Sequence, residues 1–200
     1  MDIFVSPLFI LVFPLLLTIG TFTIPFVNYF GDHEAAEQGA KQQRRWFWGH
    51  LITAAAFGTG ILTVTLLAIP LLQTEHAGWA FAAVLFAAVG GSLQAAGLGA
   101  DGIGPVAMLR AQQPARLFFD GSSKLAPLTF ILGSVGFGMG QIFLVIGLNH
   151  LPDVSTAVGV TTLIAAILFS ALPAIPSSWS LYLTAVLSWL IYAPYVWWLI

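Results

Sequence analysis

The chain has 200 residues, of which 58% are hydrophobic and 7% are charged, with a formal net charge of −2 and a mean hydropathy of +0.94. Soluble domains carry about 25% charged residues, so this composition argues against a cytosolic enzyme, a disordered regulator and, for want of a basic surface, a nucleic-acid-binding domain. The lack of cysteine excludes disulfides, thiolate nucleophiles and Cys-based metal sites. An integral membrane protein remains.

Six apolar stretches are long enough to cross a bilayer as helices, which takes about 20 residues for roughly 30 Å of hydrocarbon. They cover approximately residues 3–30, 46–72, 79–100, 125–148, 155–172 and 179–200, and none has a charged residue in its middle. They are continuous apolar runs rather than alternating ones, which disfavours a β-barrel. The sequence therefore predicts an all-α integral membrane protein, a single six-transmembrane-helix bundle over residues 1–200.

The basic residues predict the orientation of this bundle. All six Lys and Arg residues lie in two segments, between the first and second spans and between the third and fourth. The positive-inside rule places both segments in the cytoplasm and both termini on the non-cytoplasmic side of the cytoplasmic (plasma) membrane. Within these segments, residues 31–45 are expected to form a short surface helix capped by Asp32. Residues 106–113 are expected to form a second interfacial helix.

The fourth span is rich in glycine. Gly136 and Gly140 form a GxxxG pair, with Gly133 three residues before it. Glycines at this spacing leave a groove that a second helix backbone can approach closely. Packing inside one bundle and docking of a homo-oligomer or membrane partner are both consistent with this pattern. Gln94 and Gln141 fall near the same small-residue zone, where buried amides are expected to bond across helices or to line a small polar cavity.

His50 follows Trp46 by about one helical turn, which places it just inside the second span. Ionisable residues within a membrane are candidates for function. A neutral imidazole here can ligate a heme or chlorophyll metal, or bond a quinone. His33 is the one other histidine on the same side that could approach as a second ligand. The alternative is an imidazole bonded to a backbone carbonyl or to lipid head groups.

Four further candidates come from the two short outer connections. Glu75 and His76 lie in one, and His150 and Asp153 lie in the other. Two imidazoles with carboxylates can bind zinc or copper, or respond to a fall in pH. If the two connections do not meet, these four residues are polar side chains solvated at the membrane interface and form no site.

The segment between the third and fourth spans contains candidate residues for binding lipid head groups. Arg110, Arg116 and Lys124 are expected to favour anionic lipid head groups of the inner leaflet. Asp101, at the end of the third span, is expected to pair with Arg110 or Arg116. Such an exposed ion pair adds little stability.

No Asp, Glu, Lys or Arg lies at mid-depth in any span, which disfavours a proton relay or an ion-coupled carrier. No catalytic centre is evident and no catalytic residue is assigned. The most consistent function is binding of a lipid-like small molecule or a membrane protein partner through the helix faces. The alternatives are a heme- or quinone-binding subunit of an electron-transfer complex, and a carrier for a small neutral solute built on a faint three-plus-three inverted repeat.

Overall fold

The computed structural model describes residues 7–122, 125–152 and 154–199, and these are helical without a strand. The α-helices are α1 Val12–Thr23, α2 His33–Ala40, α3 Gln43–Ala68, α4 Ala77–Arg110, α5 Arg116–Ser122, α6 Leu125–Leu148, α7 Thr156–Ala171 and α8 Ser178–Leu199. Short 3₁₀ turns at Pro7–Leu11, Ile69–Gln73 and Leu172–Ala174 extend α1, α3 and α7.

Four of these helical segments are long and apolar enough to cross a membrane: Gln43–Gln73, Ala77–Arg110, Leu128–Leu148 and Ser178–Val196. The chain therefore has the features of a helical membrane protein. The first and fifth predicted spans correspond to shorter apolar helices, Leu8–Thr23 and Thr156–Ala171. At 1.5 Å per residue each of these is about 24 Å long, less than the roughly 30 Å of a hydrocarbon core.

Several predicted boundaries need correction. The first span was expected over residues 3–30, but its helix ends at Thr23, two residues before Pro25, and residues 3–6 lie outside the described ranges. The third span continues past residue 100 to Arg110 and passes through Pro105. A separate interfacial helix over residues 106–113 was therefore wrong, because its first residues form the last turns of α4. The surface helix is present but shorter than the expected residues 31–45, since α2 covers His33–Ala40 and residues 43–45 already belong to α3. Its predicted cap is confirmed, with the Asp32 carboxylate accepting two backbone N–H groups of the first turn.

The six apolar helices form a closed ring. Each packs against two neighbours in the circular order α1, α3, α4, α6, α7, α8 and back to α1. α1 and α8 are antiparallel, since Phe22 stacks on Tyr182 at 4.4 Å between ring centroids and Phe13 meets Tyr192 at 5.4 Å. We call one end of the ring the basic end, after Arg44, Arg45, Arg110 and Arg116, and the opposite end the histidine end, after His76 and His150.

A cluster of aromatic side chains fills the centre of the ring. The Phe13 ring lies 5.4 to 6.3 Å, centroid to centroid, from four rings on four other helices: Phe57 of α3, Phe137 of α6, Phe169 of α7 and Tyr192 of α8. All four pairs have the edge-to-face geometry that favours aromatic contact. This aromatic cluster joins five of the six helices.

Three glycines of α6 lie against α4. A Cβ added to Gly136 would lie 2.9 Å from the Gly90 Cα, and one added to Gly140 would lie 2.6 Å from the Ala87 backbone nitrogen. A Cβ on Gly133 would meet Gln94 at 2.8 Å. Any side chain at these positions would separate the two backbones, so small residues are what allow this close α4–α6 seam.

Candidate functional site: a cavity at the basic end

Two of the six ring helices end early on the same side. α1 stops at Thr23, and the chain is then largely non-helical as far as Asp32. α7 stops at Ala171, and a 3₁₀ turn leads into residues 175–177. Prolines 25, 173 and 176 stand in these segments, where they remove backbone donors and restrict helical geometry. The ring therefore has only four full helical walls near its basic end.

The two non-helical segments are bonded to each other. The Phe30 N–H donates to the Pro176 carbonyl at 2.7 Å, and the Ser178 N–H donates to the Val27 carbonyl at 3.0 Å. The Val27 N–H in turn donates to the Ser178 Oγ at 2.8 Å. Backbone groups that have left a helix at membrane depth need such partners, and they are tolerated where they are buried or line a cavity.

A cavity of about 520 Å³ lies between these segments and the full helices. Its wall is mainly apolar, with Leu98 of α4, Phe130 and Ile131 of α6 and Leu181 of α8 facing Ile24 and Ile175 of the two segments. Cavities of roughly 300 to 1,000 Å³ with apolar walls and few polar groups are typical of small-molecule sites. The polar side chains on this wall include His50 and Asp101, with Tyr29 and His33 nearer the basic surface.

His50 is held in one ring orientation. It is 4% exposed, and its Nδ1 lies 2.8 Å from the Trp46 carbonyl oxygen, which can only accept a hydrogen bond. Nδ1 therefore carries the proton, and in the neutral ring Nε2 carries the free lone pair. No residue in the described part of the chain bonds to Nε2. The interpretation of His50 as bonded to a backbone carbonyl is correct, and the same bond leaves the second nitrogen of this cavity-lining residue free.

Asp101 lies beside His50, on the neighbouring helix. Its backbone carbonyl accepts a hydrogen bond from the Trp46 Nε1–H at 2.6 Å, and a Cβ on the next residue, Gly102, would lie 2.8 Å from the His50 Cβ. The expected ion pair with Arg110 or Arg116 was wrong. Among the residues that the structure describes, the Asp101 carboxylate has no ion pair and no hydrogen bond, and Asp101 is one of the residues that line the cavity.

Helices α2 and α5 border the cavity on the side of the basic surface. The His33 Nδ1 and the Asp120 Oδ1 are 2.7 Å apart, which ties the start of α2 to α5. The Arg116 N–H also donates to the Glu37 Oε2 at 3.2 Å. Phe119 of α5 lies on the cavity wall with its ring 6.0 Å from that of Trp46. His33 and His50 thus line one cavity.

At the histidine end, the two outer connections do meet. The rings of His76 and His150 stack at 4.2 Å with 15° between their planes, and the Glu75 Oε1 lies 3.7 Å from the His76 Nε2. Asp153 lies outside the described residues. Within residues 7–122, 125–152 and 154–199, no three His, Asp or Glu side chains are placed to hold a metal ion. Nearly parallel rings direct their in-plane lone pairs side by side rather than to one point, so the zinc or copper site stays a prediction.

The remaining predicted residues are placed as follows. Arg110, in the last turn of α4, and Arg116, at the start of α5, are exposed at the basic end, while Lys124 lies outside the described residues. Gln94 bonds across the seam, where its Nε2 donates to the Ser134 Oγ. Gln141 is fully buried, and neither its amide nitrogen nor its oxygen has a partner among the described residues.

Comparison of this chain with known proteins finds no matching family model, no matching curated sequence and no matching solved structure. Function is therefore inferred from the geometry of the cavity and from the chemistry of the groups that line it.

Proposed function

We propose that this chain is a multi-pass protein of the cytoplasmic membrane that crosses the bilayer six times, with its basic end in the cytoplasm. The four long helices cross directly. The two short ones, about 24 Å each, need only two or three extended residues at about 3.3 Å apiece to complete a crossing, and non-helical segments follow both at the basic end. Arg110 and Arg116 then face the anionic head groups of the inner leaflet.

We further propose that the protein binds a lipid-like small molecule in the cavity at the basic end. The observation that carries this proposal is a mainly apolar cavity of about 520 Å³ lined in part by His50, whose Nε2 has no partner among the described residues. At roughly 30 Å³ per water-sized group, the cavity accommodates a head group with part of a chain. The apolar body packs against the wall, and His50 accepts a hydrogen bond from the head group.

A cofactor is the second candidate occupant. His33 and His50 line the same cavity, and each has its Nδ1 bonded to an oxygen so that Nε2 is left for a ligand. Metal-ligating imidazoles are commonly oriented in this way by a second hydrogen bond, which favours heme. For a quinone, the His50 Nε2 acts as an acceptor, so it suits the hydroxyl of the reduced form. The neutral-solute carrier gains no such support, since the aromatic cluster fills the ring above the cavity.

The test is native mass spectrometry of the full chain purified in mild detergent, with an absorption spectrum of the same sample. We expect wild type and His76→Ala, a control at the histidine end, to retain a bound lipid-class molecule. His50→Ala should retain about tenfold less, the loss expected from one buried hydrogen bond. Ser177→Trp, which fills the cavity, should retain almost none.

Equal retention by all four proteins would contradict binding in this cavity. A Soret band that is present in wild type and disappears in His50→Ala would show that the occupant is heme rather than a lipid. A colourless protein with a bound quinol would identify the occupant as a redox lipid at the proposed position.

A further inference from the structure

The groups on the cavity wall also indicate the charge of the occupant. Building on the proposed function, we propose that the cavity selects apolar molecules whose head group is a protonated amine, with the Asp101 carboxylate as its counter-charge.

Asp101 is the one acidic residue on the cavity wall in the described part of the chain, and its carboxylate has no hydrogen bond or ion pair with any described residue. An ionised carboxylate in mainly apolar surroundings is costly unless it takes up a proton or binds a cation, and a cation supplied by a ligand lets it stay ionised. The basic side chains do not supply one: the cavity wall contains no Lys or Arg from the described part of the chain.

A second consideration is the balance of donors and acceptors. The His50 Nε2 offers a lone pair, and an ionised carboxylate only accepts. The hydroxyl of Ser177 already accepts the Ser180 N–H at 3.2 Å, and the hydroxyl of Tyr29 can donate or accept. A primary ammonium has three donors and no acceptor, so it satisfies His50 and Asp101 together. An anionic head group would face Asp101 with like charge, and an alcohol would leave the carboxylate without a counter-ion.

A third consideration is the position of these two groups. The Gly102 backbone lies against the His50 side chain, and Trp46 bonds to both neighbours, through its carbonyl to His50 and through its indole N–H to the Asp101 carbonyl. Asp101 and His50 are therefore adjacent on the wall. Ile131, also on the wall, is 45% exposed, so the wall is open at this position and a chain attached to the amine can leave there.

The experiment compares three probes of equal chain length, dodecylammonium, dodecanol and dodecanoate, by equilibrium binding to the full chain in zwitterionic lipid nanodiscs. Wild type should bind dodecylammonium at least about tenfold more tightly than dodecanol, the range of a charge-assisted hydrogen bond. Dodecanoate should bind most weakly. Asp101→Asn should bring the amine-to-alcohol ratio close to one, and Asp101→Glu should keep it.

Glu75→Gln is the control, because this carboxylate is exposed at the histidine end, at the opposite end of the ring from the cavity, and it should leave the ratio at the wild-type value. A wild-type ratio near one, tighter binding of dodecanoate, or an unchanged ratio in Asp101→Asn would overturn the charge preference and leave lipid binding intact. Failure of all three probes to bind wild type would contradict the proposed function as well. The wild-type ratio decides the matter even if Asp101→Asn does not fold.

Discussion

The two halves of the ring are built from the same six helices, yet one half is packed and the other encloses a cavity. Around the aromatic cluster, rings from five helices meet, and the α4–α6 seam brings backbones into contact. Near the basic end, α1 and α7 have ended, and two extended segments replace them. Apolar side chains are abundant in both halves, so hydrophobicity does not distinguish them. In a membrane, helix ends and small residues decide where a bundle is packed and where it is hollow.

The largest expected loss of stability follows from removing one ring from the aromatic cluster. Phe137 is 0% exposed and contacts the rings of Phe13, Phe57 and Phe169. Phe137→Ala should lower the free energy of unfolding by about 4 kcal/mol, since the ring leaves a void that its neighbours cannot close. Phe130→Ala, on the wall of the existing cavity, should cost less than half as much. Unfolding in mixed detergent measures the free energy of unfolding of both variants. Equal losses would contradict the difference between a packed half and a hollow half of the ring.

The α4–α6 seam should be nearly as sensitive. A Cβ on Gly90 would overlap the Phe137 backbone nitrogen, whereas a Cβ on Gly58 of α3 meets nothing within 4 Å. Gly90→Ala should therefore cost about 3 kcal/mol through forced separation of the helices. Gly58→Ala should be neutral or should stabilise by up to about 1 kcal/mol, because alanine favours a helix. The melting temperatures of the two variants give a direct comparison. Similar values would show that the backbones of α4 and α6 are not in close contact.

The hydrogen bonds that join the two non-helical segments should have the smallest effect on stability. Ser178→Ala removes the acceptor of the buried Val27 N–H, which should cost about 1 kcal/mol. Ser92→Ala, at an exposed position of α4, should change stability by less than about 0.5 kcal/mol. Because these hydrogen bonds shape the cavity, Ser178→Ala should also weaken retention of the bound molecule in native mass spectrometry. If Ser178→Ala and Ser92→Ala behave alike in both measurements, the segments do not depend on this bond.

Much of the fold follows from local patterns. Hydropathy locates the apolar helices, the side chain of Asp32 marks the start of α2, and the glycine spacing of α6 indicates a face for close packing. These features depend on residues within one or two turns of each other, which is why the sequence alone suffices for them.

The cavity does not follow from local patterns, because prolines do not act alike in this chain. Pro25 and Pro173 stand where helices end, whereas Pro105 lies inside α4 with the helix continuing to Arg110. Whether a proline ends a helix depends on whether neighbouring groups satisfy the freed backbone, as Ser178 does for Val27. The sequence therefore indicates His50 as a candidate, but the neighbouring Asp101 comes from the packing of α3 on α4.

The central claim is that the basic half of the ring holds an accessible cavity on the cytoplasmic side. Since the chain has no cysteine, single-cysteine variants can be labelled with a membrane-impermeant maleimide in sealed vesicles of either orientation. Ser177→Cys, on the cavity wall, should react from the cytoplasmic side alone, and Ser134→Cys, 3% exposed in the α4–α6 seam, should react from neither. If Ser177→Cys is as unreactive as Ser134→Cys, the cavity is not accessible and the central claim is wrong. If it reacts only from the opposite side, the proposed orientation is wrong.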